Sequence, residues 1–190
     1  MNETIKRVVA ESIELKKSFF TANEDKIVQV AKIICTAFET GNKLLIYGNG
    51  GSAADAQHIA AEFVGRFERE RRPLAAIALT TDTSILTSLG NDYGYSEIFA
   101  RQLLALGRAG DVSMAISTSG NSPNVVRTVP IAREMGLITV GLTGSDGGAL
   151  GAQVQYNLCV PHKSAARVQE THILIGHILC ELVETHMKGL

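Results

Sequence analysis

The sequence predicts an α/β fold in which a parallel sheet of five strands is flanked by helices. Short apolar segments rich in β-branched residues alternate along the chain with longer amphipathic segments, which is the pattern of strands and crossover helices. Apolar residues make up 45% of the 190 residues and charged residues 19%, so a folded core is expected and disorder is excluded. A chain of this length corresponds to one domain, or two at most.

The first 40 residues predict two helices that extend the domain at its N-terminus. Apolar residues recur at helical spacing, and the pattern is interrupted near Asn23, which precedes two acidic residues as an N-cap does. The second helix is expected to end at Gly41, because glycine is preferred just after a helix. We assign residues 1–42 to helices that pack on the domain or on a neighbouring subunit, and residues 43–190 to the α/β domain.

Five apolar segments are predicted as strands and the segments between them as helices. The predicted strands are Lys43–Tyr47, Leu74–Leu79, Asp111–Ser117, Leu137–Leu142 and Gln155–Val160. The predicted helices cover residues 53–67, 83–90, 95–106, 123–135 and 164–187. Ligands of open α/β sheets bind at the carboxyl ends of the strands. The candidate site therefore lies in the loops Gly48–Ser52, Thr80–Thr83, Ser117–Ser122 and Thr143–Gly148.

Composition excludes several classes of protein. The formal net charge is −1, there is no Trp, and aromatic residues make up 5%, so a nucleic-acid partner is not expected. Three cysteines without a C-x-x-C pair indicate reduced thiols, and hence a cytoplasmic protein. The N-terminal segment is charged and lacks the apolar region of a signal peptide, and no stretch is apolar enough for a membrane helix.

The glycine-rich loop Gly48–Ser52 joins a strand to a helix. Its glycines allow backbone N–H groups to approach a ligand, and the helix adds the positive end of its dipole. A P-loop is excluded because the lysine is missing. A dinucleotide site remains a weak alternative, because Gly48, Gly50 and Ala53 fit G-x-G-x-x-A and Asp82 follows the second strand.

The loop Ser117–Ser122 carries four hydroxyl groups in six positions. Hydroxyl and amide donors in a small cup suit a phosphate monoester without Lys or Arg. The alternative is that Ser119, Asn121 or Ser122 only caps the following helix. The Gly144–Gly148 segment has no comparable density of hydroxyls, and we expect it to be a structural turn.

Two helices carry residues suited to acid–base chemistry or metal binding. His58 and Glu62 are four residues apart and share one face of an apolar helix, so both are expected to be largely buried; an ordinary surface pair is the alternative. Gln169 and His177 share a face of the last helix, whereas His172 points elsewhere. His177 is expected to be buried, and a core histidine without chemistry is the alternative.

His58, Glu62, Gln169 and His177 together form a possible ligand set for Zn²⁺ or another divalent ion. An amide is a poor ligand, so the affinity of this set for the metal is expected to be modest. Asn91 and Asp92 are further polar candidates, although Asn-Asp-Tyr-Gly is also typical of a turn.

Four segments together resemble the phosphoheptose isomerases, a group within the sugar isomerase (SIS) domain family. They are GNGGSAADAQHIAAE, LTTDTSILTSLGNDYGYSEIFARQ, ISTSGNSPNV and RVQETHILIGHILCELVE, in that order. The resemblance spans residues 43–187, and residues 1–42 and 65–75 carry no motif. It implies a single SIS domain with a five-stranded parallel sheet, and a homotetramer whose active sites lie between subunits.

The resemblance also implies roles for individual residues. The zinc ligands of the family correspond to His58, Glu62, Gln169 and His177, so one Zn²⁺ per subunit is expected. Its acid–base pair corresponds to Glu62 and His177. Ser117, Thr118, Ser119 and Ser122 would hold the phosphate, and Asn91 and Asp92 would contact the sugar. The remaining substrate-binding positions correspond to Asn49, Gly50, Gly51, Ser52, Glu62 and Gln169.

The activity implied is conversion of sedoheptulose 7-phosphate to D-glycero-D-manno-heptose 7-phosphate, the first step towards ADP-heptose-type precursors of bacterial glycoconjugates such as lipopolysaccharide. The reaction moves a proton from C1 to C2 and needs a base, an acid and a stabilised enediolate. Glu62 is the expected base and His177 the expected acid, although these roles could be exchanged. The alternative is a non-catalytic SIS protein that binds a replication initiator or senses sugar phosphates; the presence of Glu62 and His177 favours the enzyme.

Overall fold

The five apolar segments form strands that are mostly buried on both faces. A computed structural model describes residues 1–187 and shows β1 (Leu44–Gly48), β2 (Ala76–Ala78), β3 (Val112–Ser117), β4 (Ile138–Gly144) and β5 (Tyr156–Val160). The order across the sheet is β2-β1-β3-β4-β5, and all neighbouring strands are parallel. The predicted fold class is confirmed. The last three positions of the predicted 43–190 domain lie outside the described residues.

Seven helices and a short 3₁₀ turn at Tyr95–Glu97 connect and cover the strands in residues 1–187. The helices are α1 (Asn2–Glu39), α2 (Gly51–Val64), α3 (Thr83–Tyr93), α4 (Ile98–Leu106), α5 (Pro123–Glu134), α6 (Gly148–Gln153) and α7 (Ala165–His186). The sequence did not predict α6, a helix of six residues that follows the glycine-rich end of β4. Within the described part of the chain, no helix has the length and apolar character needed to cross a membrane.

Alternation along the strands builds two apolar layers, one on each face of the sheet. On β1, Leu44 and Ile46 face the layer formed with α1, α2 and α7, whereas Leu45 and Tyr47 face the layer formed with α4, α5 and α6. The Tyr47 hydroxyl is buried and lies 2.9 Å from the Ser113 hydroxyl, which satisfies both groups. The sheet is therefore a rigid support for the loops at its carboxyl edge.

The N-terminal extension is one continuous helix, so the prediction of two helices is wrong. Asn23 does not cap a second helix, because its side-chain amide donates to the Phe19 carbonyl oxygen at 2.9 Å and follows the helix instead. The C-terminal half of α1 packs on the sheet and on α7, and this contact stabilises the helix through the polar interruption. The expected end is confirmed: Gly41 has φ +78°, and the Asn42 N–H donates to the Ala37 carbonyl oxygen.

The connection between β2 and β3 also differs from the prediction. Helix α3 continues to Tyr93, so Asn91 and Asp92 lie in its last turn and the interpretation as a tight turn is wrong. Gly94, with φ +87°, follows the end of the helix, which lies three residues beyond the predicted end at residue 90. In the single chain α3 has no buried residue, so its packing is weaker than that of the other long helices.

The strand order places a crevice between β1 and β3. The chain leaves β1 towards α2 on one face of the sheet and leaves β3 towards α5 on the opposite face. Because the two connections diverge, the loops Gly48–Ser52 and Ser117–Ser122 flank a gap at the carboxyl edge. This is the position where ligands of such sheets bind, and both loops are among those that the sequence selects.

At the opposite, amino edge of the sheet, a buried carboxylate joins β1 to β3. Asp111 is fully buried and accepts hydrogen bonds from the Lys43 N–H at 2.9 Å and the Arg108 N–H at 2.8 Å. The Lys43 ammonium group contacts the same carboxylate at 2.6 Å. The carboxylate therefore satisfies two backbone N–H donors and neutralises the Lys43 ammonium group, which is mostly shielded from water.

We expect Asp111→Asn to lower the free energy of unfolding by about 2–4 kcal/mol, because the amide leaves the Lys43 ammonium without its counter-charge. Urea unfolding at neutral pH, followed by circular dichroism, measures this difference. Asp25→Asn is the control, since Asp25 is exposed on α1. Equal stabilities of the two variants would contradict the prediction.

Candidate active site

A pair of side-chain amides joins the loop after β1 to the start of α5. Asn49 donates to the Asn124 carbonyl oxygen and accepts from the Asn124 amide, both at 2.8 Å. The Tyr95 hydroxyl also donates to the Asn49 carbonyl oxygen, at 3.2 Å. Asn49 is thus held by other protein groups, so its side chain fixes the Gly48–Ser52 loop across the crevice.

Three hydroxyls of the loop after β3 lie close together. The Ser117 hydroxyl is 3.0 Å from that of Ser122 and 3.4 Å from that of Ser119. Ser122 occupies the N-cap position of α5, but its side chain makes no capping hydrogen bond. Simple capping therefore does not account for this hydroxyl. The loop forms a small group of donors at the start of a helix, an arrangement suited to an anion such as phosphate.

Two imidazoles meet where α2 and α7 pack together. The Nε2 atoms of His58 and His177 are 2.8 Å apart, so one ring donates a hydrogen bond to the other. The same His58 nitrogen lies 3.5 Å from a Glu62 carboxylate oxygen. Glu62 and His177, which belong to distant parts of the sequence, therefore contact one and the same side chain.

The burial of this group differs from the prediction. The His58 side chain is 48% exposed and Glu62 is 22% exposed, while His177 is half-buried. The expectation that His58 is largely buried is wrong in the single chain, because the apolar positions of α2 cover the sheet and His58 lies on the opposite, open side. The pair thus faces outward from α2 and α7, where a ligand has access.

The absence of a side chain at Gly176 permits this meeting of the helices. A Cβ atom at Gly176 would lie 2.6 Å from Ile59 Cδ1, well inside van der Waals contact. Ile59 is fully buried beside His58, and Gly176 precedes His177 directly. Glycine at 176 therefore brings α7 close enough to α2 for the two imidazoles to touch.

A second contact between the two helices lies nearer the carboxyl edge of the sheet. The Gln169 amide donates to the buried carboxylate of Asp55 at 3.5 Å, and a Cβ atom at Gly51 would lie 2.4 Å from the same amide. Burial raises the pKa of Asp55 above its ordinary value, against the opposing effects of Gln169 and His58. Gln169 is thus packed on the glycine-rich loop, as a residue of the candidate site would be.

The other histidine of α7 belongs to the core. His172 is fully buried, and its Nε2 donates to the Thr143 carbonyl oxygen at 2.9 Å. Burial lowers the pKa of His172 to about 4, against the opposing effect of this hydrogen bond, so the ring is neutral near pH 7. The spacing argument that separates His172 from His177 therefore agrees with the structure.

Some predicted residues are not brought together within one chain. Asn91 bonds to its neighbour Asp92 at 2.8 Å, and no hydrogen bond in residues 1–187 joins either of them to another predicted site residue. Nor does a hydrogen bond in these residues join the hydroxyls of Ser117, Ser119 and Ser122 to the imidazole pair. The cleft beside Gly48–Gly50 has a volume of only about 70 Å³, whereas a cavity of about 370 Å³ lies between α1 and the start of β5. The candidate site is thus marked by the chemistry of its side chains and not by a large cavity.

The donor atoms agree in kind with the zinc that the resemblance implies. Two imidazole nitrogens directed at each other, with a carboxylate beside one of them, are donors that Zn²⁺ prefers. Gln169 contacts Asp55 instead of this group. In the described residues, no three side chains of His, Cys, Asp or Glu are arranged as ligands of one ion. His58, Glu62 and His177 thus fit the metal in the kind of donor atom but not in their present arrangement, and Gln169 stands apart from them.

Sequence reasoning missed several residues around the site. They are Asp55, Tyr95, Asn124 and the group formed by Phe67, Arg71 and Glu184. Asp55 carried a signal, because a carboxylate on the apolar face of α2 needs a partner. Asn124 and Tyr95 carried none, since their contact with Asn49 depends on the path of the chain across the sheet.

Comparisons with known proteins find relatives over nearly the whole chain. The family model of the SIS domain matches residues 9–144. A phosphoheptose isomerase of Aquifex aeolicus is 56% identical over 184 residues, which cover 97% of this chain and 96% of that protein. A second phosphoheptose isomerase, from Nitratidesulfovibrio vulgaris strain Hildenborough, is 53% identical over 188 residues, with coverage of 97% and 90%.

Solved structures give the same result. A phosphoheptose isomerase from Neisseria gonorrhoeae superposes with a TM-score of 0.92 at 45% identity, covering 97% of this chain and 98% of that one. The enzyme of the same name from Francisella tularensis superposes with a TM-score of 0.93 at 39% identity, with coverage of 96% and 97%. The similarity thus extends over nearly the whole length of the chain.

The two close approaches between α2 and α7 predict different costs for the same substitution. Gly51→Ala meets only the flexible end of Gln169, so we expect it to change the unfolding free energy by less than about 1 kcal/mol while displacing the amide. Gly176→Ala meets fully buried Ile59, so we expect a loss of about 1–3 kcal/mol despite the better helix propensity of alanine.

Urea unfolding of both variants measures these costs, and a crystal structure of Gly51→Ala locates the Gln169 side chain. Gly90→Ala is the control, because nothing lies within 4 Å of a Cβ atom there. A Gly176→Ala variant as stable as the control would show that the helices are free to separate.

Proposed function

The chain belongs to the SIS domain family and, within it, to the phosphoheptose isomerases, and from this membership we propose that it converts sedoheptulose 7-phosphate to D-glycero-D-manno-heptose 7-phosphate. Relatives that bear this enzyme name match this chain over nearly its full length at 50% identity or more. The observation that carries the proposal is the contact of Glu62 and His177 with one His58 nitrogen, since it joins a carboxylate and an imidazole in one accessible group.

The phosphate is proposed to bind to the loop after β3. The hydroxyls of Ser117, Ser119 and Ser122 lie together there, and Thr118 is partly exposed beside them. A phosphate would replace the hydrogen bonds that these hydroxyls now make with one another. Neutral donors bind the dianion without a permanent counter-charge, so release of the product stays possible. The Gly48–Ser52 loop, fixed by Asn124, would line the other side of the crevice.

Glu62 is proposed to remove the proton from C1 of the open-chain ketose and to return it at C2. His177 would move protons between the oxygens on C1 and C2 and assist ring opening, because an imidazole serves as donor and acceptor near neutral pH. The two roles could be exchanged between these residues. A binding protein without activity would not require the pair, so their contact around His58 supports the enzyme over the sensor or initiator-binding alternative.

We expect the wild-type protein to form aldoheptose 7-phosphate from sedoheptulose 7-phosphate, as followed by ³¹P and ¹H NMR. Glu62→Gln is expected to lower kcat by about 10²–10⁴-fold, because the amide does not accept the C1 proton. In D₂O the product of the wild-type enzyme should carry deuterium at C2, since the proton on the base exchanges with solvent.

The control is Glu181→Gln. Glu181 is exposed on α7, so this variant should have the same kcat as the wild type. Thermal unfolding of both variants establishes that they are folded at the assay temperature. Near-normal turnover by Glu62→Gln would contradict the base assignment, and no product from wild type with or without added Zn²⁺ would contradict the proposed activity.

Zinc is proposed as the cofactor, held by His58, Glu62, Gln169 and His177. The approach of the two Nε2 atoms supports this proposal, although Gln169 would have to leave Asp55 to join the set. When bound, the ion would polarise the oxygens on C1 and C2 and so stabilise the enediolate. The residues themselves keep the roles described above.

Removal of one imidazole tests the metal proposal without an activity assay. We expect about one Zn²⁺ per chain by elemental analysis, and a Kd for Zn²⁺ at least about tenfold higher in His58→Ala, because an inner ligand is lost. His186→Ala is the control, since His186 is exposed near the end of α7 and contacts Glu39. Equal zinc affinity in the two variants would rule out His58 as a ligand.

A homotetramer with active sites between subunits is proposed as the assembly. Exposed α3 carries Asn91 and Asp92 away from the other candidate residues of its own chain, which supports a role in a neighbour's site. Large apolar side chains exposed on α1 at Ile5, Val9 and Ile13 support burial by another subunit. Sedimentation velocity measures the mass of the assembly, and a monomer at assay concentration would contradict the proposal.

We propose the cytoplasm as the location. None of the three cysteines is in a disulfide bond, and burial raises the pKa of Cys35 to about 11 and that of Cys180 to about 12. Both thiols are therefore protonated at neutral pH, and it is the absence of a disulfide bond among the three cysteines that supports a reducing compartment. Fractionation of the producing cells would test the location.

A further inference from the structure

We propose that Arg71 and Glu184 are positioning residues. Through the loop between α2 and β2, they hold Glu62 and His177 in position relative to each other. The loop, residues 65–75, carries no recognised motif, yet it contacts both helices of the acid–base pair. The inference rests on the proposed function, because it concerns the geometry of the same reaction. Its physical basis is a continuous set of short contacts that begins at Glu62 and ends at the His177 ring.

The first link is a set of hydrogen bonds from Arg71 to the C-terminal end of α2. Its guanidinium donates to the Glu62 carbonyl oxygen at 2.7 Å and to the Phe63 and Gly65 carbonyl oxygens at 2.9 and 3.2 Å. These carbonyls have no partners further along α2, which ends at Val64. A cation here also complements the negative end of the helix dipole. The Arg71 side chain is 6% exposed, so the backbone of Glu62 is held firmly.

The second link is a set of hydrogen bonds between the loop and Glu184. The carboxylate accepts hydrogen bonds from three successive backbone N–H groups, those of Phe67, Glu68 and Arg69, at 2.9–3.1 Å. It also lies 3.3 Å from the Arg71 Nε atom. Burial disfavours the charged form, but these donors together outweigh it, so the pKa of Glu184 lies below its ordinary value.

The third link is the packing of the loop on His177. Glu184 and His177 are seven residues apart on α7, so they lie on nearly the same face of the helix. The Phe67 ring, whose N–H is held by Glu184, packs against the His177 ring with centroids 5.5 Å apart and planes inclined by 33°. The loop therefore fixes the His177 ring from one side while His58 contacts it from another.

A purely structural role is the competing explanation, and the chain contains a matched comparison for it. Asp111 is also a buried carboxylate that accepts several backbone N–H groups and faces a cation, but it lies at the amino edge of the sheet. Loss of either carboxylate should destabilise the fold. Only loss of Glu184 should alter the geometry of Glu62 and His177.

The test compares Glu184→Gln with Asp111→Asn at a temperature well below both unfolding transitions. We expect kcat to fall about 10–100-fold in Glu184→Gln with KM changed less than about threefold, because the reacting groups shift while the phosphate loop is untouched. Asp111→Asn should retain wild-type kcat. Arg71→Lys, which keeps the charge but loses the fork, and Phe67→Leu, which removes the ring, should each lower kcat in the same way.

A second readout does not depend on turnover. The imidazole resonances of His177, assigned by their loss in His177→Gln, should shift in Glu184→Gln, Arg71→Lys and Phe67→Leu and should keep their positions in Asp111→Asn. If the wild type does not isomerise the sugar, the proposed function fails and these resonances alone decide the positional claim. Unchanged His177 resonances in all three variants, or kcat values within about twofold of Asp111→Asn, would overturn the inference.

Discussion

The close packing of α7 on α2 is the constraint on which the rest of the site depends. Gly176 has no side chain, so the two helices approach until Ile59 fills the space between them. His58 and His177 flank this contact, and their ring nitrogens meet as a result. A larger residue at 176 would separate the helices by about the width of a methyl group, more than a hydrogen bond between the rings tolerates. The contact between His58 and His177 therefore depends on the missing side chain at position 176.

The sheet contributes a second element, the crevice between β1 and β3. The helices after these strands leave on opposite faces, so the two loops cannot cover each other. The amide pair of Asn49 and Asn124 spans the gap and holds its width. The serine hydroxyls line one side with neutral donors. A rigid frame with hydroxyls that bond to one another would suit the proposed binding and release of a phosphate group.

Two buried carboxylates illustrate how position gives the same chemistry different consequences. Asp111 ties β1 to the loop before β3, far along the strands from the carboxyl edge. Glu184 ties a loop between α2 and β2 to α7, beside His177. Each satisfies backbone donors that would otherwise be buried without partners. The neighbours of each carboxylate, rather than its own hydrogen bonds, decide whether it contacts only the fold or also the proposed acid–base pair.

The sequence by itself determined the strands, the order of helices and the composition of the loops. Short apolar segments and amphipathic segments of period 3.6 are local properties, so strands such as Val112–Ser117 were predicted within one or two residues. Local signals failed where packing decided: α1 continues through Asn23 because its C-terminal half lies on the sheet and α7. The exposure of His58 likewise depends on which side of α2 faces the sheet.

Only the tertiary structure decided which candidate residues meet. The spacing within α2 placed His58 with Glu62, but no pattern within either helix brings His58 to His177, since that contact depends on the approach at Gly176. The sequence shows no motif in residues 65–75, and yet the Arg71 side chain of this loop is buried against Glu184 of α7. Side-chain periodicity acts over a few residues, whereas such contacts arise from the path of the whole chain across the sheet.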